Sequence, residues 1–287
     1  MSQQGPETFP LKGVDLDRPS VARVYDWLLG GTANWAIDRE FGKQVVDTFP
    51  LIKSGALANR LFLHRAVRHL AGLGVRQFID IGSGIPTVGN THHVADEVAP
   101  DSRVVYVDHE PVAVAHSRLL LEDSGDPQRH AIIHGDMRDP DRLWGNVQEA
   151  GVIDFSEPVA VLLVAVMHIQ QRDSDGVEVG PQVVARYREL MPSGSYLVIS
   201  QVTDDGVPPG MVEQLRDAKK MYDASSSPVI WRERDEIRAL FGDFELVEPG
   251  MTWTPLWHPE DSGPDAPEVD FETPEESVIW CGMGRKP

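Results

Sequence analysis

Three short apolar segments, each followed by a polar loop, constrain the fold of this chain more than any other feature. Phe78–Ile81 leads into Gly82-Ser83-Gly84-Ile85-Pro86, Val104–Val107 ends at Asp108, and a third segment ends at Gly135-Asp136. Glycines after a strand let the backbone approach a ligand, and a carboxylate ending the next strand suits two ribose hydroxyls. The third segment ends in a carboxylate suited to an adenine amino group. In this order, the segments predict a parallel α/β sheet with a nucleoside pocket.

The glycine loop distinguishes two classes of nucleoside-binding protein. A dinucleotide site needs a glycine or alanine three positions after the second glycine, so that a helix N-terminus lies close to the pyrophosphate. Thr87 occupies that position, directly after Pro86. S-adenosylmethionine (SAM) carries no phosphate and makes no such demand. The loop therefore favours a SAM pocket over the dinucleotide pocket of a dehydrogenase.

The composition is that of an ordinary globular protein with one main domain. The chain has 287 residues, of which 41% are hydrophobic and 25% charged. A net charge of −19 argues against a general nucleic-acid binder, because nucleic acids are themselves polyanions. The single cysteine, Cys281, fits a reducing cytosol, and neither a signal peptide nor a membrane span is expected. The predicted location is cytoplasmic.

Apolar periodicity predicts helices before the first strand and alternating strands and helices after it. Residues 1–74 form a predicted N-terminal helical cap with helices near 21–29, 37–46 and 56–73. Residues 75–287 form a predicted Rossmann-like domain, with an insertion around 203–231 and a solvated acidic loop at 258–276. We predict a mostly parallel seven-stranded sheet with helices on both faces. The predicted strands lie near 76–81, 103–108, 130–134, 159–166, 195–201, 244–248 and 278–283, and the intervening helices near 87–98, 111–122 and 180–190.

Residues 76–201 resemble the Rossmann-like fold of SAM-dependent methyltransferases. Asp80, Gly82 and Gly84 match its first motif, Asp108 its second and Asp136 its third. The resemblance implies SAM as the cofactor. The predicted cofactor-binding set from these loops is Asp80, Gly82, Ser83, Gly84, Asp108, His109, Asp136 and Met137.

A closer resemblance covers nearly the whole chain. Residues 23–31, Asn34, Asp38-Arg39, Asn59-Arg60 and the stretch 164–168 look like an actinobacterial S-adenosyl methyltransferase-like family long classed as being of unknown function. The family implies fold and cofactor but no particular acceptor. A group of N-terminal residues is expected to close over the methionine end of SAM: Arg23, Tyr25, Asp26, Gly30, Gly31 and Asn34. The alternative is that they form a helix surface and its cap, with Tyr25 packed in the apolar stripe of the helix.

His168 is the candidate catalytic residue. It is predicted just past the central strand, where it would act as a base toward an oxygen or protonated nitrogen nucleophile. A histidine there also has the alternative of bonding a loop or stacking beside the cofactor. No metal site is predicted, because neither His92-His93 nor the pair His64 and His69 has a good chelating spacing.

Two functions remain open from the sequence. One is a SAM-dependent methyltransferase acting on a small molecule, and the other is a non-catalytic protein that binds SAM or another nucleoside. A dehydrogenase comes third because of Thr87. The oligomeric state and the acceptor are not predicted.

Overall fold

The computed structural model describes residues 14–87 and 89–287. The helices are α1 (Val21–Leu28), α2 (Ala36–Thr48), α3 (Ile52–Gly72), α4 (Thr91–Val98), α5 (Pro111–Ser124), α6 (Pro140–Glu149), α7 (Gly180–Leu190), α8 (Val212–Asp223) and α9 (Arg234–Ala239). The strands are β1 (Gln77–Ile81), β2 (Arg103–Asp108), β3 (His130–His134), β4 (Ala160–Leu163), β5 (Tyr196–Val202), β6 (Glu245–Leu246), β7 (Thr252–Trp253) and β8 (Ile279–Arg285). The predicted α/β alternation is therefore present.

All eight strands found in the described residues belong to one mostly parallel sheet. Its order is β3-β2-β1-β4-β5-β8-β6, and β7 also pairs with β8. The pairings among β1 to β5 are parallel, whereas β8 runs antiparallel to β5, β6 and β7. The strand order reverses between β1 and β4, and ligands of such sheets bind beyond the carboxyl ends of the strands at that point.

The structure has one strand more than the seven predicted, and the additional strand lies at the β6 and β7 edge of the sheet. β6 pairs with β8 at Arg285 and Gly284, and β7 pairs with β8 further along at Cys281 and Trp280. A turn, closed by the Gly250 N–H donating to the Val247 carbonyl, separates the two short strands. One predicted edge strand is therefore two segments on the same side of β8.

Apolar side chains cover both faces of the sheet, as expected for strands with no polar alternation. Helices α3 and α4 pack on one face, through residues such as Phe62 and Val94. Helices α6 and α7 pack on the other, through residues such as Trp144 and Tyr187. β1 and β4 are buried along their whole length, which fixes the loops at their carboxyl ends.

Helices α1 to α3 precede the sheet, close to the predicted positions. α3 is the longest at 21 residues, and its buried residues run along most of its length. Arg65 from α3 donates to the carbonyl oxygens of Trp257 and Thr254 at 2.8 and 2.6 Å. These bonds attach the C-terminal loop region to the helix.

Two local predictions differ from the structure. The central strand ends at Leu163, not near 166, because Ala165 adopts a left-handed backbone (φ 62°) and donates its N–H to Ser200 Oγ at 2.9 Å. Helix α6, for which no prediction was made, begins at Pro140 after Asp139, whose carboxylate accepts the Arg142 N–H. Among the described residues, no helix combines the length and apolar character needed to cross a membrane.

Candidate active site

A cavity of about 470 Å³ opens beyond the carboxyl ends of β1, β2, β3 and β4. This is the edge at which the strand order reverses. The loops after the strands form one side of the cavity, and α1, α3 and α8 contribute to the others. Nine predicted cofactor residues line it: Tyr25, Asp80, Gly82, Ser83, Gly84, Asp108, His109, Asp136 and Met137.

The two glycines of the first loop are required for different reasons. Both have a positive φ, 71° at Gly82 and 68° at Gly84, which side-chain-bearing residues rarely adopt. A Cβ on Gly82 would lie 2.6 Å from Val166 Cγ2, so the β1 loop packs against the chain after β4. A Cβ on Gly84 would meet nothing within 4 Å, so this glycine borders open space. Gly84 therefore leaves backbone accessible to a ligand.

Asp108 is held in place with part of its hydrogen-bonding capacity unused. Its Oδ2 accepts the Gly84 N–H at 2.7 Å, and its Oδ1 accepts the Glu110 N–H at 2.8 Å. A carboxylate oxygen accepts about two hydrogen bonds, so each oxygen retains a lone pair. The side chain lines the cavity at the end of β2. This geometry is suited to a vicinal diol.

Asp136 has less capacity to spare. Arg138 donates to its carboxylate from the backbone N–H, from Nε at 2.9 and 3.0 Å and from Nη2 at 2.5 Å. Burial raises the pKa of Asp136, but the hydrogen bonds from Arg138 outweigh that effect and the net pKa is lowered. An adenine amino group bound to this carboxylate would have to displace Arg138.

Asp80 is a buried acid at the base of the cavity. Burial is the main cause that raises its pKa to about 6, and the nearby charge of Asp108 also raises it. The Thr91 hydroxyl, donating to Oδ2 at 2.6 Å, and the positive charge of Arg60 oppose that shift. A bound cation nearby would favour the ionised form of this carboxylate.

Arg60 and Asn59 on α3 are site residues for which sequence reasoning made no binding prediction. Both line the cavity near Asp80. Arg60 Nε, Asn59 Oδ1 and Ser83 Oγ are buried and have no hydrogen-bond partner among the described residues. Buried polar atoms are almost always paired, so this group points to a polar ligand. The Asn59-Arg60 pair, which belongs to the family resemblance, was the available sequence signal.

The remaining N-terminal residues lie outside the cavity lining. Arg23 is fully buried, and its Nε donates to Asp38 at 2.7 Å. Asn34 donates to Asp26 Oδ2 at 2.8 Å, and Asp26 Oδ1 accepts the Thr87 hydroxyl at 2.8 Å. The structure therefore does not bring Arg23 or Asn34 to the predicted cofactor.

Gly30 and Gly31 lie in the same hydrogen-bonded group around Asp26, and neither lines the cavity. Gly30 has a φ of 82°, and the Gly31 N–H donates to the Asp26 carbonyl at 2.8 Å. A Cβ on Gly31 would overlap the Asp26 carboxylate. These glycines let α1 reach the 82–87 loop through Asp26 and Thr87, so their contribution to the site is indirect.

His168 lines the cavity after β4, as the sequence predicts. Its Nδ1 is buried, and neither ring nitrogen is hydrogen-bonded to a residue that the structure describes. Burial, with a smaller contribution from the charge of Arg232, lowers the pKa of His168 to about 4. The ring is therefore neutral at pH 7 and has a free lone pair.

Arg232 positions the loop that carries His168. Its Nη1 donates to the Met167 carbonyl at 2.5 Å and to Gln201 Oε1 at 3.1 Å, and its Nη2 donates to Glu178 at 2.8 Å. The His168 carbonyl in turn accepts the Ile230 N–H at 2.8 Å. The backbone at His168 is therefore bonded to the 225–231 turn.

The part of the cavity formed by α8 and this turn is largely apolar. Tyr222 packs edge-on against Phe41 of α2, with ring centroids 5.2 Å apart. Its hydroxyl makes no hydrogen bond with the described part of the chain, and burial raises its pKa. The apolar lining consists of Leu28, Phe49, Ile52, Val202, Leu215, Ala218, Tyr222, Val229, Trp231, Val278 and Ile279. Five of these residues, Leu215, Ala218, Tyr222, Val229 and Trp231, belong to the insertion predicted around 203–231.

Comparison with solved structures finds two relatives that match over almost the whole chain. A candidate methyltransferase from Thermobifida fusca YX is 38% identical, covers 97% of this chain and 99% of its own, and has a TM-score of 0.80. A DUF574 family protein from Streptomyces avermitilis MA-4680 is 34% identical, with 94% and 98% coverage and a TM-score of 0.82. Magnesium protoporphyrin IX methyltransferase from Synechocystis PCC 6803, solved with bound S-adenosylhomocysteine, shares the fold at 12% identity, with coverage of 92% and 93% and a TM-score of 0.51.

The family comparison agrees with these likenesses. The sequence profile described as S-adenosyl methyltransferase matches residues 8–287. No curated protein matches the chain by sequence. The family match over nearly the full length, together with the cavity at the carboxyl ends of β1 to β4, identifies SAM as the cofactor and methyl transfer as the reaction. The chain therefore belongs to the S-adenosyl methyltransferase family.

Proposed function

We propose that this enzyme methylates a hydroxyl oxygen of a small, largely apolar acceptor, and that His168 takes the hydroxyl proton. The observation that carries the proposal is the unpaired, neutral His168 ring in the lining of the cavity that the glycine loop and the apolar residues of α8 also form. The net charge of −19 supports a small molecule over a nucleic acid. The buried Cys281 is consistent with the cytoplasm as the site of action.

The cavity residues fit SAM, and we assign them to its parts as follows. Asp108 binds the ribose hydroxyls through the lone pairs left by Gly84 and Glu110. The adenine lies at Met137 and Asp136, where it competes with Arg138. The other end of SAM carries a carboxylate and an ammonium group. A buried cation, Arg60, can pair with the first and a buried anion, Asp80, with the second.

The methionine end is assigned to the α3 side of the cavity. Arg60, whose Nε lacks a partner, binds the carboxylate, and Asp80 binds the ammonium group. The unpaired Asn59 Oδ1 and Ser83 Oγ supply further hydrogen bonds. Tyr25 supports this group, since its hydroxyl accepts Asn59 Nδ2 at 3.2 Å.

The chemistry needs orientation and one proton acceptor. Bound SAM would supply an electrophilic methyl group on a sulfonium. Methylation of an acceptor hydroxyl would make its proton strongly acidic, so that a nearby residue must accept it. His168 is unprotonated at neutral pH and accepts this proton even with a pKa of about 4, then releases it to solvent.

The apolar region sets the acceptor class. Phe49, Leu215, Tyr222 and Trp231 offer aromatic and aliphatic surface, which favours a planar or hydrophobic body. The free Tyr222 hydroxyl offers one hydrogen bond for orientation. A phenol or related hydroxylated ring compound meets both conditions.

The test is S-adenosylhomocysteine formation with a panel of phenols, naphthols and hydroxyquinones, each paired with the methyl ether that lacks the free hydroxyl. We expect turnover with at least one hydroxyl compound and none with its ether. His168→Asn should lower kcat by about 10²- to 10⁴-fold without changing SAM affinity, and His116→Asn, on α5, serves as the matched control. No turnover across the panel by enzyme that binds SAM would contradict the acceptor class, and full activity of His168→Asn would contradict its role as base.

A further inference from the structure

A second cluster of polar side chains lies at the far end of α3, outside the cavity lining. His69, near the C-terminus of α3, meets His258 and Asp261 from the loop that follows β7. One ligand atom from each of the three lies within 4.8 Å of the others. Within 14–87 and 89–287, this is the one His, Cys, Asp and Glu group with such geometry.

The hydrogen bonds of His258 fix which ring nitrogen faces the carboxylates. Its Nε2 lies 2.7 Å from the Glu248 carbonyl oxygen, which can only accept, so Nε2 carries a proton. In the neutral ring, Nδ1 is then a bare lone pair. That nitrogen lies 2.6 Å from Glu260 Oε1 and 3.9 Å from Asp261 Oδ2. A lone pair facing two anions requires a positive charge between them, either a second ring proton or a metal ion.

His69 turns its own nitrogen toward the same carboxylate. His69 Nδ1 lies 2.8 Å from Asp261 Oδ2, and the rings of His69 and His258 lie 4.2 Å apart, 30° from parallel. Two imidazole nitrogens and one carboxylate oxygen thus share a small volume, with Glu260 at its edge. Nitrogen and oxygen donors of this kind suit Zn²⁺ and its first-row neighbours more than Mg²⁺ or Ca²⁺.

The surroundings have the features of a supported metal site. Metal-binding histidines commonly donate their other ring N–H to a backbone carbonyl, as His258 does to Glu248. His258 also has a left-handed backbone (φ 42°), a strained conformation for a residue with a side chain. Trp257, fully buried, packs edge-on against both histidine rings. The nearby cation Arg65 donates its hydrogen bonds to the carbonyl oxygens of Trp257 and Thr254.

We propose that His69 Nδ1, His258 Nδ1 and Asp261 Oδ2 bind a divalent transition-metal ion, with Zn²⁺ the expected occupant and Glu260 as a fourth ligand. Zinc bonds of about 2.0–2.2 Å in a tetrahedron place the ligand atoms about 3.4 Å apart, so the 3.9 Å pair would close and the 2.8 and 2.6 Å pairs would open by less than about 1 Å each. The ion would link the start of the acidic 258–276 loop to α3. It lies apart from the methyl-transfer site and is structural, because no cavity-lining residue belongs to the cluster.

The experiment is calorimetric titration of tag-free, chelator-treated full-length protein with ZnCl₂ at pH 7.5. We expect one ion per chain and a higher melting temperature when the ion is bound. Asp261→Asn and His258→Gln should each weaken binding by more than about tenfold, since changes even to residues behind metal ligands cost about 10- to 100-fold. His116→Ala should bind as the wild type does. Co²⁺ gives a visible absorption band as a spectroscopic check on its coordination.

Circular dichroism shows whether each variant is folded before it is compared. Failure of the folded wild type to bind Zn²⁺ or Co²⁺ would overturn the proposal and leave a doubly protonated His258 as the positive charge. Binding that persists in both folded variants would overturn it as well, because the ion would then sit elsewhere.

Discussion

Replacement of Asp108 by asparagine tests the assignment of the ribose most directly. The carboxylate accepts one backbone N–H on each oxygen, from Gly84 at 2.7 Å and from Glu110 at 2.8 Å. The amide retains one acceptor oxygen, so it loses one charge-assisted bond to the loop and one to a ribose hydroxyl. A hydrogen bond to a charged group contributes about 1.5–3 kcal/mol. We therefore expect Asp108→Asn to weaken SAM binding by about 10- to 100-fold.

Calorimetric titration with SAM measures this change, with circular dichroism to show that the variant is folded. Asp101→Asn is the matched control, since Asp101 is exposed and pairs with Arg76 at 3.1 Å. Its affinity for SAM should equal that of the wild type. A folded Asp108→Asn variant that binds SAM within about twofold of the wild type would refute the reasoning from hydrogen bonds to charged groups.

Three further predictions concern the loops and α3. Gly31→Ala should lower the free energy of unfolding by about 1–3 kcal/mol in urea titrations, because its Cβ overlaps Asp26, whereas Gly72→Ala, with open space around it, should not destabilise the protein. Asp80 has a native pKa of about 6 against 3.8, so the native state binds this proton more tightly than the unfolded chain and loses stability as the pH rises from about 4 to 6. The free energy of unfolding of Asp80→Asn should therefore rise by up to about 3 kcal/mol relative to that of the wild type between pH 4 and 7. If the difference in free energy of unfolding between the two proteins did not change with pH, this account would be excluded. Arg60→Met should weaken the binding of S-adenosylhomocysteine by at least about tenfold. The affinity for 5′-methylthioadenosine, which lacks the aminocarboxylate, should not change. Equal losses of affinity for both ligands would contradict the assignment of Arg60.

The sequence predicted best where a local pattern determines the structure. The unbroken apolar segments before Gly82, Asp108 and Asp136 became adjacent parallel strands, and their loops came together at one edge. The long apolar face of α3 was also recognised. Such features depend on neighbours in sequence, which is why they could be predicted without knowledge of the fold.

Other features depend on contacts between distant residues. Within the N-terminal motif, Tyr25 lines the cavity, whereas Arg23 is fully buried against Asp38 and Asn34 is hydrogen-bonded to Asp26. The importance of these residues comes from packing partners that the sequence does not identify. Likewise, His69 and His258 lie 189 positions apart in sequence, yet their rings stack, so no local spacing rule could reveal them as a pair.

The position of β8 has a consequence for folding kinetics. This last strand lies inside the sheet, where it pairs with β5 on one side and with β6 and β7 on the other. Until residues 279–285 have been synthesised and docked, β5 presents an unpaired edge made of buried residues such as Leu197, Val198 and Ile199. Unpaired apolar edges recruit other chains, and long-range pairings form slowly. Aggregation during expression is therefore expected to be governed by the lifetime of this incomplete sheet, and substitutions that slow the docking of β8 should lower soluble yield before they alter the folded enzyme.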